Sequence, residues 1–210
     1  MPDKVFQAIS QHIIQKLESS LSPRLTYHNI HHTFDVLEQA QRVAKGEGIT
    51  DPDDLFIIKV AALYHDTGFI FTYKGHEEVS CQLAKEELPG YGLDENQIET
   101  ICGMIRATKI PQTPHNKFEE ILADADLDYL GREDFEVISN NLRLEFLEFG
   151  IVLNNLEWEV KQISFLESHQ YFTDWSKENR APLKQQNYES LRLSTQSRNE
   201  FNTQSRKEFK

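Results

Sequence analysis

Apolar residues recur every three or four positions along most of the chain, which is the period of an amphipathic α-helix. The first such segment ends before Pro23 and carries Val5, Phe6, Ile9, Ile13 and Leu17. The same pattern predicts further helices over about residues 29–45, 51–64, 76–88, 94–108, 116–130, 133–148 and 155–172. Strand-like alternation is nearly absent, with one short β-flavoured run at residues 69–73. The pattern therefore predicts an all-α protein.

The segment 51–64 is apolar on nearly every side, so we expect it to lie at the centre of the molecule. Asp51 can cap its free amides, and Pro52 suits the first position of a helix. The apolar run ends at His65 and Asp66, which brings an imidazole and a carboxylate to the edge of the core.

Composition excludes several classes of protein. The chain has 210 residues, of which 39% are hydrophobic, which suits one domain with a sizeable core. Its 22 basic and 34 acidic residues give a net charge of −12, which disfavours binding to nucleic acid. It has no apolar run long enough to span a membrane, no export signal and only two cysteines. We therefore expect a cytoplasmic protein with reduced thiols that binds neither nucleic acid nor a membrane.

Residues 176–210 are more polar than the rest of the chain. They are interpreted as a tail that is a helix on the body of the protein, a partner-binding arm, or partly disordered. Either this tail or the amphipathic first helix could form a homodimer contact.

Histidines and aspartates gather at three places in this helical pattern. His28 and His32 lie four residues apart at the start of the second helix, and His65 and Asp66 end the third. A later, largely apolar helix contains Asp124, Asp126 and Asp128. Carboxylates directed at one interior site repel each other, and a divalent cation with neutral imidazoles in its shell removes that repulsion. The pattern predicts a metal site, whereas Asp128 is expected to be a surface charge and His12, His115 and His169 ordinary surface or core residues.

The order of these residues resembles the H…HD…D motif of the HD superfamily of metal-dependent phosphohydrolases. The matching residues are His32, His65, Asp66 and Asp126. The surrounding stretches are also similar to small HD-domain proteins: AALYHDTGF, GHEEVSCQLAKEEL, MIRATK and ILADADLDYLG. The resemblance implies a single-domain helical bundle with a metal-binding core over residues 25–132. The resemblance does not cover the first helix or the tail; from the apolar pattern we expect an N-terminal helix (1–24) to pack on this core and further helices (133–175) to complete the same domain.

The stretch YHNIHHTFDV is similar to a segment of cyclic-nucleotide phosphodiesterases, which belong to the same superfamily. This similarity gives the ligand position to His32, and it gives His28 the position of the histidine that protonates the leaving oxygen. The purine-clamping glutamine of those enzymes has no evident counterpart, so their specificity does not carry over.

The resemblance implies hydrolysis of a phosphoester or phosphoanhydride by a metal-activated water, with a nucleotide as the expected small substrate. Asp66 and His28 would be catalytic, and the cofactor would be one divalent ion out of Mn, Mg, Fe, Ni or Zn. The residues expected to bind the charged substrate are Lys74, His76, Arg106 and Lys109, and His76 is also a candidate ligand of a second ion.

Two other functions stay open at this point. Some HD-fold proteins are di-iron oxygenases with extra histidines between the HD doublet and the last aspartate, an interval that here contains His76 and His115. Alternatively, the domain could bind a nucleotide without turnover and act as a sensor that signals through its tail.

Overall fold

The computed structural model describes residues 2–208 of the chain, and the side chains of residues 3–196. Across these residues it contains ten α-helices and three short 3-10 turns, with no strand, so the prediction of an all-α bundle is confirmed. The helices are α1 (Pro2–Ser20), α2 (Ile30–Gly46), α3 (Pro52–Tyr64), α4 (His76–Glu87), α5 (Glu95–Ala107), α6 (Lys117–Asp126), α7 (Phe135–Glu148), α8 (Asn155–Ser168), α9 (Asp174–Asn179) and α10 (Ala181–Glu208). The 3-10 turns are Thr67–Ile70, Leu88–Tyr91 and Asp128–Gly131.

Helix α3 lies at the centre of the larger of two apolar clusters. Its start follows from the sequence, because the side chain of Asp51 accepts hydrogen bonds from the amides of Asp53 and Asp54 and Pro52 begins the helix. Its apolar side chains from Phe56 to Tyr64 are buried on all sides. Helices α1, α2 and α5 pack around it. The free thiols Cys81 and Cys102 are buried in this cluster.

A second apolar cluster joins the turn at residues 128–131 to α7, α8 and α10. Its buried members are Tyr27, Leu127, Tyr129, Leu130, Phe135 and Leu166. Tyr188 and Leu191 of α10 pack against it, so the described part of the polar tail is a helix that lies on the body. Residues 209 and 210, and the tail side chains beyond residue 196, lie outside the described part of the chain. None of the described helices combines the length and apolarity needed to cross a membrane.

Two helices end four residues earlier than their apolar pattern predicts. Helix α6 ends at Asp126 and not at residue 130, and the Tyr171 hydroxyl donates to the backbone oxygen of Leu127 just beyond it (3.2 Å). Helix α8 ends at Ser168 and not at residue 172, because Asp124 accepts hydrogen bonds from the amides of Phe172 and Thr173. In both cases a contact between distant parts of the chain ends the helix.

The expectation that Asp128 is a surface charge is wrong. Its side chain is 1% exposed and accepts a hydrogen bond of 2.7 Å from Nε of Arg180. Arg132 lies 3.6 Å away on its other side. A buried carboxylate is tolerated there because these two guanidinium groups offset its charge.

Candidate metal centre

The ends of three helices bring the predicted ligands together. Asn29 caps α2 through a bond from the amide of His31, which places His32 in the first turn. His65 follows α3 directly and Asp66 comes next, while Asp126 is the last residue of α6. Because α2 packs against both α3 and α6, the three ends meet.

The four side chains approach one another within hydrogen-bonding distance. Nε2 of His32 lies 3.1 Å from Oδ1 of Asp126 and 3.4 Å from Oδ2 of Asp66. Nε2 of His65 lies 3.2 Å from the same Asp66 oxygen, 3.5 Å from the same Asp126 oxygen and 3.4 Å from Nε2 of His32. One ligand atom from each of His32, His65 and Asp66 falls within 4.8 Å of the others.

The chemistry of this donor set fits a divalent cation. Nδ1 of His65 donates to the backbone oxygen of Ala62 (2.8 Å), so in the neutral ring the Nε2 lone pair points at the cluster. Within the described structure, Oδ2 of Asp66 is buried without a hydrogen-bond donor. Acceptor lone pairs from two imidazoles and two carboxylates therefore face one another with few hydrogen-bond donors between them. A divalent cation bound there would interact favourably with all four groups.

The mutual electrostatics of the cluster keep its carboxylates ionised. Burial by itself would raise the pKa of Asp66, but His65 and His76 outweigh it and hold that pKa well below its usual range. Burial also opposes ionisation of Asp126, yet His32 and His65 lower its pKa to about 2. Conversely, the pKa of His65 is raised, because the two carboxylates outweigh the effect of burial. Cation binding would displace this proton from His65, since a metal-bound imidazole is neutral.

His28, the predicted proton donor, is held beside the cluster by a residue that the sequence analysis missed. Oε1 of Glu145 in α7 accepts a short hydrogen bond from Nδ1 of His28 and a bond of 2.8 Å from the Tyr73 hydroxyl. Its other oxygen accepts from the backbone amides of Tyr27 (2.8 Å) and His28 (3.0 Å). The Glu145 side chain is fully buried, and its pKa is lowered because His28 and these amides outweigh burial. The His28 ring also stacks on Phe69 at 4.1 Å.

In the sequence Glu145 is one of two acidic residues, with Glu148, in the largely apolar run Leu142–Phe149, and nothing marks it out from the other. Its partner His28 is 117 residues away along the chain, so no local pattern links the two.

A cavity of about 700 Å³ opens beside the cluster and is lined by Asp66, Asp126 and His28. Its far walls come from α7, α8 and the loop between them, and their apolar side chains are Leu142, Phe146, Ile151, Trp158, Phe165 and Leu166.

The residues predicted to bind substrate divide between this cavity and the outer surface. Lys74, His76 and Lys109 line the cavity. Nε2 of His76 lies 3.4 Å from Oδ1 of Asp66. Arg106 is not among the lining residues; it is 40% exposed and paired with Glu78 (2.9 Å) and Glu99 (3.8 Å).

Two further polar residues weighed in the sequence analysis also lie apart from the cluster. The carboxylate of Asp124 is bonded to Phe172 and Thr173 at the start of α9. His115 is exposed and does not line the cavity. It is therefore not placed to supply the extra ligand that a di-iron oxygenase would need.

Comparison with known proteins is consistent with this geometry. Residues 29–129 match the family model of the HD domain. A predicted HD superfamily hydrolase from an uncultured Thermotogales bacterium is 24% identical, with a TM-score of 0.51 over 72% of this chain and 91% of that chain. A Lactobacillus plantarum protein of known structure is 16% identical, with a TM-score of 0.63 over 92% of this chain and 98% of that chain. No curated protein matches the chain. At these identities the two structures establish a shared fold.

Proposed function

We propose that this protein, whose residues 29–129 match the family model of the HD domain, is a metal-dependent hydrolase that cleaves a phosphoester or phosphoanhydride bond of a small phosphorylated substrate. The observation that carries the proposal is the convergence of His32, His65, Asp66 and Asp126 at one end of a cavity that also contains His28.

The four converging side chains would hold one divalent ion of the group Mn, Mg, Fe, Ni and Zn. Such a cation supplies Lewis-acid polarisation of a phosphoryl oxygen and makes water a stronger nucleophile at neutral pH. The low pKa of Asp66 and of Asp126 keeps both carboxylates ready to bind it. Asp66 is also catalytic in this proposal, because its carboxylate lines the cavity and can orient the attacking water.

His28 would donate a proton to the leaving oxygen as the bond to phosphorus breaks. Its Nδ1 is committed to Glu145, so Nε2 is the nitrogen available for this transfer. The carboxylate of Glu145 accepts the hydrogen bond of Nδ1 and fixes the orientation of the ring, which makes Glu145 a positioning residue.

The charge of the substrate would be offset by Lys74 and Lys109, which line the same cavity. Arg106 is left out of the proposed binding set because its two ion pairs hold it on the outer surface. That the substrate is a nucleotide stays a prediction from the sequence. The assay below compares nucleotides with other phosphate esters.

The test is a phosphate-release assay over nucleotides, anhydrides and small phosphate esters, repeated with each of the five cations. We expect turnover with at least one cation and its loss on chelation. Asp66→Asn keeps the shape of the side chain but removes a charged ligand, so it should lower kcat/KM by at least about 100-fold.

The matched control is Asp53→Asn, which changes an exposed aspartate in the first turn of α3, far from the end of the helix that Asp66 follows, and should keep full activity. Equal turnover by Asp66→Asn and the wild type would refute the mechanism. Tight nucleotide binding without turnover under every cation would favour the sensor, and oxygen consumption with two bound irons would favour the oxygenase.

A further inference from the structure

We infer, on the basis of the proposed function, that the substrate is a phosphate ester of an apolar alcohol, whose carbon chain or ring lies against the cavity wall formed by α7 and α8. The inference starts from the position of the proton donor. His28 is held by Glu145, and Leu142 lies three residues before Glu145 on the same side of α7. Phe146 lies one helical turn after Leu142, and both side chains line the cavity. The group that leaves with the proton of His28 therefore lies against an apolar helix face.

The side of this space that α8 forms is also apolar. Trp158 of α8 is 6% exposed, and its ring meets the ring of Phe146 edge to face at 5.5 Å. Leu166 on the same helix is 2% exposed. Together with Ile151 these side chains form a chamber that continues from the metal centre.

Three uncharged polar side chains in the cavity wall already have partners inside the protein, and the wall also contains Lys74, Lys109 and Lys161. The Tyr73 hydroxyl donates to Glu145, and the Thr108 hydroxyl donates to the backbone oxygen of Ile105. The side-chain amide of Gln162 donates to Ser139. A sugar or nucleobase would bring several donors and acceptors against these walls, and each one left unpaired costs free energy. An alkyl or aryl group has no such cost and gains from burial.

The proposed reaction is the hydrolysis of a phosphate ester. Water adds to phosphorus, the bond from phosphorus to the ester oxygen breaks, and its electron pair stays with that oxygen. The oxygen takes the proton of His28 and leaves as a neutral alcohol, while a proton of the water is returned to the protein. The products are inorganic phosphate and the alcohol, and no oxidant or reductant is needed.

The first test measures kcat/KM of the metal-loaded full-length protein with ethyl, butyl and hexyl phosphate. Burial of each added methylene should raise kcat/KM about threefold until the chamber is filled. Two nucleoside monophosphates measured alongside should fall below hexyl phosphate. A flat series, or a higher kcat/KM for the nucleotides, would overturn the inference.

Substitutions in the apolar chamber test whether its side chains cause the dependence of kcat/KM on chain length. Phe146→Ala and Ile151→Ser should each reduce the gain from ethyl to hexyl phosphate several-fold, because they remove apolar wall or make it polar. Leu153→Ser is the matched control: Leu153 lies in the same loop as Ile151, is 78% exposed and does not line the cavity. An equal effect of all three substitutions would contradict a role for the chamber.

Binding of alkylphosphonates separates this inference from the proposed function. These analogues keep the charged head and the chain but have no ester bond to cleave, so calorimetry can compare their Kd values without turnover. Tighter binding with longer chains would support the chamber even in a protein that hydrolyses nothing. If the esters were hydrolysed but neither kcat/KM nor Kd depended on chain length, the proposed function would be supported and the inference contradicted.

Discussion

Glu145 is the residue on which the orientation of His28 depends. It is a fully buried carboxylate that accepts hydrogen bonds from His28, from Tyr73 and from two backbone amides. Four donors on one carboxylate leave it no freedom to rotate, and the imidazole that it holds is equally fixed. This is the kind of outer support that sets the tautomer and direction of a functional histidine.

If His28 protonates the leaving oxygen, the loss of kcat on replacing His28 should depend on the leaving group. His28→Gln should lower kcat by about 100-fold or more for alkyl phosphates, whose leaving oxygen needs a proton. For p-nitrophenyl phosphate the loss should be much smaller, because nitrophenolate leaves without one. Glu145→Gln should show the same ordering with a loss of about 10- to 100-fold.

Steady-state kinetics with the two esters measure this prediction. His31→Gln is the control, since His31 lies in the same segment but is exposed. If His28→Gln slowed both esters to the same extent, its role would be structural and not proton transfer.

At the scale of elements, the turn that follows the HD doublet packs tightly on the start of α4. A Cβ added at Gly68 would lie 2.0 Å from the backbone oxygen of His76, and the amide of Gly68 donates to Oγ of Ser80 (2.8 Å). Both sides of the contact are backbone, so neither can move aside alone. The turn therefore holds Asp66 and His76 in a fixed relation.

Gly68→Ala should force these two segments apart. We expect a loss of about 1–3 kcal/mol in the free energy of unfolding, which is typical of overpacking, together with weaker cation binding. Denaturant unfolding and calorimetry measure the two effects. Gly90→Ala should change neither, since nothing lies within 4 Å of its added Cβ. Wild-type stability of Gly68→Ala would show that the contact is looser than its geometry indicates.

At the scale of the whole molecule, α10 is joined to the body through a buried pair of basic residues. The Lys184 ammonium donates to the backbone oxygens of Leu166 (3.1 Å) and His169 and lies 3.4 Å from Nδ1 of His169. Burial, with the nearby charge of Lys184, lowers the pKa of His169 to about 3, although Asp126 acts weakly in the opposite direction. The folded protein thus keeps this imidazole neutral at every pH where the bundle is expected to function.

This arrangement predicts a loss of stability in acid. The unfolded chain binds a proton at His169 near pH 6.5, whereas the folded protein does not until about pH 3. Between these values the unfolded state holds the extra proton, so the free energy of unfolding falls as the pH falls, by at most about 1.4 kcal/mol per pH unit from this residue. His169→Asn keeps an acceptor for Lys184 but does not titrate, so it should flatten the slope between pH 6 and 5.

Urea unfolding at a series of pH values measures this slope. The exposed His115 supplies the control, as His115→Asn should leave the slope as it is in the wild type. An unchanged slope in His169→Asn would mean that His169 takes up a proton in the folded protein as well.

Much of the bundle could be predicted from the sequence because its signals are local. The apolar period and the cap at Asp51 act within a turn or two of helix, and they mark helices that the structure contains. The four-residue motif with its flanking stretches indicated an HD domain, which is confirmed over residues 29–129. Apolar character did not predict where α6 and α8 end, since both ends depend on bonds to residues far away in the chain.

The helical architecture and the residue types that a cation would need can be predicted from the amino-acid sequence, because helix formation depends on neighbours along the chain and ligand chemistry on residue type. Tertiary packing alone decided that Glu145 holds His28, that Asp128 is buried between two arginines, and that α7 and α8 enclose an apolar chamber. The decisive contacts, Glu145 with His28 and Arg180 with Asp128, join groups that are distant in sequence, and only the way the helices pack brings such groups within hydrogen-bonding distance.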